Sequence, residues 1–190
     1  MTAGRRRTRG VAAVDQVLHP DMSPQLTLSA ESAASVEQVH SAFGYEEYWL
    51  ARIAAFDGNA SLESLTVDTD GTVTVRTVAD LTRNRLPGMV TKLIPGDLTL
   101  MQNEIWKPIG DGRVSGQLNF AVLGGLGSGH ATALLVPVPN GSRLNFAVTV
   151  KAKVPVLARK IEDYFGNQFA EQIPVVQRFT TAWICERAGT

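Results

Sequence analysis

The stretch VKAKVPVLARKIEDYFGNQFAEQIPVVQRFTTAWICERA, residues 150–188, decides the fold. It opens as a β-strand and turns into a helix long enough to need a large partner surface. Pro155 ends the strand, because its ring removes a ladder donor. From about Val156 to Arg187 the spacing predicts one helix, about 48 Å long if unbroken. Leu157, Ile161, Tyr164, Phe165, Gln168, Gln172, Val175, Val176, Phe179 and Trp183 fall on one stripe of it, with Arg159, Lys160, Asp163, Asn167 and Arg178 opposite. Pro174 predicts a kink between Ala170 and Pro174. Gly166 is read as a tolerated glycine at an exposed position. The stripe must lie on an apolar surface.

That surface is legible upstream. SPQLTLSAES sets Leu26 and Leu28 between polar neighbours, the period-2 pattern of a half-buried strand. Next comes helical spacing at Val36, Val39, His40 and Phe43, a break at Gly44, and a second run through Tyr48, Trp49, Arg52, Ile53 and Phe56. Ser35 is positioned to cap the first of these two short helices. Asp70-Gly71, Asp111-Gly112 and Asn140-Gly141 then supply three hairpin turns, so six consecutive antiparallel strands follow. Leu144, Phe146, Val148, Val150 and Ala152 share one face of the last strand, while Arg143, Asn145, Thr149, Lys151 and Lys153 share the other. Val114, Leu118, Phe120 and Val122 alternate in the same way with Arg113, Ser115, Gln117 and Asn119. One face of the sheet is to be covered and the other wet.

Composition narrows the function. A chain of 190 residues is a single-domain length with room for a full core. Arg5, Arg6, Arg7 and Arg9 outweigh Asp15 and Asp21 at the start, so of the zero total charge the remainder holds a net −2. That balance gives no electrostatic reason to bind nucleic acid. Residues 1–22 are expected to be a disordered Arg-rich tail, or to lie upstream of a start at Met22; the apolar run after the arginines is too short for a leader. No run approaches the roughly 18 apolar residues of a membrane span. The single cysteine, Cys185, fits a reducing cytoplasm and is read as a small apolar filler. His19, His40 and His130 have no metal-ligand spacing, and no metal or cofactor is expected. GGLGSGH, residues 124–130, fails as a phosphate loop because it opens no helix and lacks the lysine; its glycines are read as hairpin or bulge positions.

Strand, two helices, six strands and a long C-terminal helix is an order that resembles the START-like helix-grip superfamily, the SRPBCC group of polyketide cyclases and lipid-transfer proteins. The segment VTVKAKVPVLARKIEDYF is similar to an actinobacterial branch described as a domain of unknown function. The fold expected is α+β: a curved antiparallel sheet of about seven strands wrapped around a long C-terminal helix, over residues 23–188. The resemblance implies a hydrophobic cavity between sheet and helix, with a packed core as the alternative.

Candidate site residues follow from that geometry. Phe120, Phe146, Phe165 and Phe169 would supply apolar contact, with Phe169 at the edge of the stripe. Tyr164, Gln168 and Gln172 are polar groups on a buried stripe, needing partners, and would orient a ligand. Met89, Val90, Leu93 and Ile94, in the connection between Pro87-Gly88 and Pro95-Gly96, are read as a lid, or else as a loop packed on the core. In TLMQNEIWK, Gln102, Asn103 and Glu104 interrupt the alternation, and Glu104 is read as solvent-facing beside a bulge rather than as a cavity acid or base. No catalytic residue is assigned.

The leading expectation is a cytoplasmic protein that binds a lipid-like or polycyclic small molecule. The first alternative is a cyclase, dehydratase or hydrolase using Tyr164 or Glu104, for which no acid–base pair is visible. The second is a module whose segment Met89 to Ile94 docks a protein or a membrane surface.

Overall fold

Alternating side chains and tight turns generate a sheet of long antiparallel strands. The computed structural model describes residues 16–17, 25–56, 59–81, 98–123, 127–153 and 158–189. The strands are β1 (Gln16–Val17), β2 (Gln25–Ser32), β3 (Ala60–Val67), β4 (Val73–Leu81), β5 (Leu98–Gly110), β6 (Arg113–Val122), β7 (Gly127–Val138) and β8 (Gly141–Ala152). Helices α1 (Val36–Phe43) and α2 (Glu46–Phe56) follow β2, and α3 (Ala158–Ala188) closes the chain. The class is α+β, with the order of elements expected from the sequence. Sheet order is β1-β2-β8-β7-β6-β5-β4-β3, antiparallel throughout. The two-residue β1 pairs with Gln25 and Leu26, inside the stretch expected to be a tail.

Local chemistry sets the boundaries. The Gln38 amide donates to Ser35 Oγ at 3.2 Å and the Ser35 amide donates to Gln38 Oε1 at 2.9 Å. This reciprocal pair satisfies two amides that a helix start leaves free. Asp111 and Gly112 both take positive φ, 51° and 63°, and join β5 to β6 as a two-residue turn whose twist suits the strands. At the third hairpin Gly141 is already the first residue of β8, and the turn is Pro139-Asn140.

The expected faces hold along β6 and β8 with one exception. Val114, Leu118, Leu144, Phe146, Val148 and Val150 are buried, whereas Gln117, Asn119, Arg143, Asn145 and Lys151 are exposed. Thr149, assigned to the wet face, is buried, flanked by Gln25 of β2 and His130 of β7.

Helix α3 runs without interruption through Pro174 and keeps Arg159, Lys160, Asp163, Asn167 and Arg178 exposed. Its buried line departs from the expected stripe. Gln172 and Val175 are exposed, and the fully buried residues are Gln177, Thr180 and Ile184. The seam is displaced by roughly a quarter turn of the helix. The reason is that two surfaces receive this half of α3: β2 and β8 on one side, α1 and α2 on the other. Phe179 and Trp183 pack against Tyr48 at 6.1 and 5.4 Å, and the deepest line falls between the two surfaces. Hydroxyls occupy that line safely because Thr180 and Thr181 each donate to the carbonyl one turn back, at 2.9 Å. None of the described helices is long and apolar enough to cross a membrane.

Candidate functional site

Register turns the inner face of the sheet into rows. Val73, Trp106, Gly116, Ala133, Phe146 and Leu28 lie side by side, and all but Leu28 are buried. A Cβ on Gly116 would sit 2.6 Å from the Trp106 ring, so only glycine lets the indole spread onto β6. One step along comes Val75, Glu104, Leu118, Ala131 and Val148, again all buried. Then the character changes. In the row Thr77, Gln102, Phe120, Gly129 and Val150, only Val150 is buried; beyond it Ala79, Leu100, Val122, Gly127 and Ala152 are all half-buried.

Coverage explains the gradient. Over the buried rows lie α1, α2 and the C-terminal half of α3, locked by aromatic contacts. Phe43 meets Trp106 at 4.7 Å, Tyr48 meets Trp49 edge-on at 5.3 Å, and the Trp49 Nε1–H donates to the Phe43 carbonyl at 2.7 Å. Against the half-buried rows the N-terminal half of α3 sets Phe169, 5.5 Å from Phe120, and its Ile161, Phe165, Phe169 and Ile173 are themselves only half-buried. Apolar side chains from sheet and helix thus face each other without full burial.

A polar cluster marks the boundary between these regions. Glu104, expected to face solvent, is 2% exposed on the inner face. The alternation is in fact intact: Leu100, Gln102, Glu104 and Trp106 all point inward, and the strand carries polar residues on its core side. Three donors converge on the carboxylate. Trp106 Nε1–H reaches Oε2 at 3.0 Å, Gln102 Nε2 reaches Oε1 at 2.7 Å, and Arg52 from α2 lies 3.4 Å from Oε1. The Arg52 guanidinium also stacks over Trp49, 4.9 Å from its ring centre.

Tyr48, one helical turn before Arg52, is completely buried, and its hydroxyl lies 2.8 Å from Thr180 Oγ1. Because Thr180 commits its single proton to the Val176 carbonyl, Tyr48 is the donor in that pair. Burial pushes the Tyr48 phenol above its ordinary value, with the Arg52 cation and the Thr180 bond opposing. It is a neutral phenol at physiological pH. Nearby in sequence, Gln177 is 3% exposed and its Nε2 has no partner among the described residues.

The sequence-derived site is reassembled accordingly. Phe120 and Phe146 converge on Phe169, at 5.5 and 6.1 Å, so the phenylalanine at the edge of the expected stripe is the one that joins sheet to helix. Phe165 packs on the core edge and meets Tyr164 edge-on at 5.4 Å. Gln168 is half-buried, whereas Gln172 is exposed and leaves the buried stripe, since the seam passes through Phe169 and Ile173 instead. The tyrosine in Glu104's surroundings is Tyr48, not Tyr164, because α2 rather than α3 reaches β5 there. Met89, Val90, Leu93 and Ile94 lie outside the described residues; the strand ends they connect, Leu81 and Leu98, pair one row beyond Leu100, and Leu98 is itself buried. Cys185, expected to fill space, is exposed. Of the glycines in 124–130, Gly127 and Gly129 belong to β7, and Gly129 lies beneath the Phe120 ring, where a Cβ would collide.

Sequence reasoning missed Tyr48, Arg52 and Thr180. A cation four residues from a tyrosine on an apolar helix face was the available signal for the first two. Thr180 carried none, since a self-bonded threonine looks like surface.

Known proteins resemble the chain in sequence, and one solved structure resembles it in fold. Two uncharacterized proteins, from Mycobacterium tuberculosis and from Mycobacterium bovis, are each 35% identical over 170 residues, covering 86% of this chain and 98% of theirs. A crystal structure of a Thermus thermophilus protein superposes with a TM-score of 0.52 at 13% identity, covering 86% of this chain and 99% of that one, a likeness of fold. A Mycobacterium smegmatis protein gives 0.49 at 17% identity, covering 90% and 99%. With residues 27–184 matching, the chain belongs to the family described as protein of unknown function, DUF2505.

Proposed function

We propose that this is a START-like, non-catalytic binding protein that holds a hydrophobic small molecule between the N-terminal half of α3 and the inner face of β4–β7. The observation that carries the reading is the step in burial along one sheet face, complete at Trp106 and Glu104 and partial at Gln102 and Leu100, before Leu98 at the start of β5 is buried again. Apolar surface left half-covered on two facing elements is what a ligand removes from water, at about 25 cal/mol per Å² before ordering costs. Phe120, Phe165 and Phe169 supply that surface, and Tyr164 and Gln168 lie on the helix beside it. Catalysis is disfavoured by the polar cluster itself. Glu104 is buried and held by three donors and Tyr48 is sealed in the core, so neither is presented to a substrate as an acid or base.

Native mass spectrometry of the full chain, with uptake of a hydrophobic fluorescent probe, tests this. The expected result is a retained mass that disappears on solvent extraction, and probe uptake weakened at least tenfold by Phe169→Asp in a variant whose circular dichroism is unchanged. A clean apo mass together with no probe uptake would sink the reading.

A further inference from the structure

We propose that Gln102 selects the class of ligand, an apolar molecule bearing a hydrogen-bond donor such as a hydroxyl, and that Glu104 is the positioning residue that makes it do so. The inference rests on the binding reading above. Gln102 stands half-buried on the inner face of β5 in the first half-buried row, between Thr77 and Phe120, whose ring meets Phe169 of α3 at 5.5 Å.

A primary amide is nearly symmetric in shape and opposite in chemistry at its two ends. Here Glu104 decides which end faces the ligand. A carboxylate only accepts, so the Gln102 NH2 must face Oε1, where it donates at 2.7 Å. The reverse orientation would set carbonyl oxygen against carboxylate oxygen. Glu104 cannot turn aside to relieve that clash, being fixed by Trp106 Nε1–H at 3.0 Å and by Arg52 at 3.4 Å while 2% exposed. The Gln102 carbonyl oxygen is therefore directed away from Glu104, and no described residue donates to it.

Once a ligand displaces water, that oxygen is either satisfied by the ligand or left bare. A hydroxyl or N–H satisfies it. An ester or a hydrocarbon leaves it without a donor, and a carboxylate adds repulsion from the oxygen and from Glu104 behind it.

The test is probe displacement on the full chain by three molecules of one chain length: a saturated long-chain alcohol, its carboxylic acid and the methyl ester of that acid. The alcohol is expected to displace the probe at about tenfold lower concentration than the ester, the effect of one unmade hydrogen bond, with the carboxylate weakest at neutral pH. Gln102→Leu should bring the alcohol-to-ester ratio to about one. Glu104→Gln lets the Gln102 amide turn over, so the ratio should move toward the ester; should that variant fail to fold, the Gln102→Leu ratio decides alone. Equal affinity for alcohol and ester in the unmodified chain, or a ratio untouched by Gln102→Leu, overturns the inference and leaves the binding reading standing. Failure of the probe to bind at all overturns both.

Discussion

The two ends of one sheet face differ in what covers them rather than in what they are made of. Both ends are built from the same strands, β4 to β8, and both carry aromatic rings over glycines, Trp106 over Gly116 and Phe120 over Gly129. At the Trp106 end two helices and half of a third cover every row. At the Phe120 end, among the described residues, α3 alone does so, through Phe169. Shape complementarity within the sheet therefore does not make a closed core; the number of covering elements does.

Matched truncations give the largest contrast. Trp106→Ala should cost about 4 kcal/mol in urea unfolding, through the cavity and the lost donor to Glu104, whereas Phe169→Ala should cost about 1 kcal/mol. Similar losses at both sites would show that the Phe120 end is as tightly packed as the other. A smaller effect is expected at the seam of α3. Thr180→Val keeps shape but leaves the buried Tyr48 hydroxyl without an acceptor, for about 2 kcal/mol measured as a shift in urea midpoint. No shift would mean that Tyr48 finds another acceptor inside the core.

The smallest effect concerns His40 of α1, at the margin of the Trp106 end. Its Nε2 is buried without a partner among the described residues, and burial holds its pKa below 6.5, only partly offset by the backbone at Trp106 and Gly71. The fold thus prefers the neutral ring. Stability from this group is complete above the unfolded value and declines as pH falls through it toward the lowered folded value, because the unfolded chain binds the proton first. His40→Gln should shrink the difference in urea midpoint between about pH 8 and about pH 5.5. An unchanged difference would assign the acid loss to carboxylates.

The sequence made visible what short-range chemistry controls. Asp111-Gly112 announced its turn, Ser35 its cap, and the alternation in β8 its faces. The inner placement of Glu104 was hidden because three polar residues in a row look like a break in pattern, although every second one still points inward. The rotated seam of α3 was hidden for a different reason. Which line of a helix lies deepest depends on how many surfaces meet it, and that is a tertiary fact. Phe169 became central and Gln172 peripheral on that account alone. Cys185, near the end of α3, is exposed for the same reason: the seam there runs through Ile184.

The pairing of β2 with β8 carries a consequence for how the molecule is made. Ser29 bonds to Asn145 across a separation of 116 residues, and α3 ties Ser32 to Thr181. While the chain emerges from the ribosome, β3 to β7 can pair with their sequence neighbours as they appear, but β2 waits without its long partner until β8 has been synthesised. Its eight residues, with Leu26 and Leu28 on the inward side, stay an unprotected sticky edge for most of translation. High contact order of this kind makes folding slow and places the docking of α3 across β2 and β8 after β8 has been synthesised.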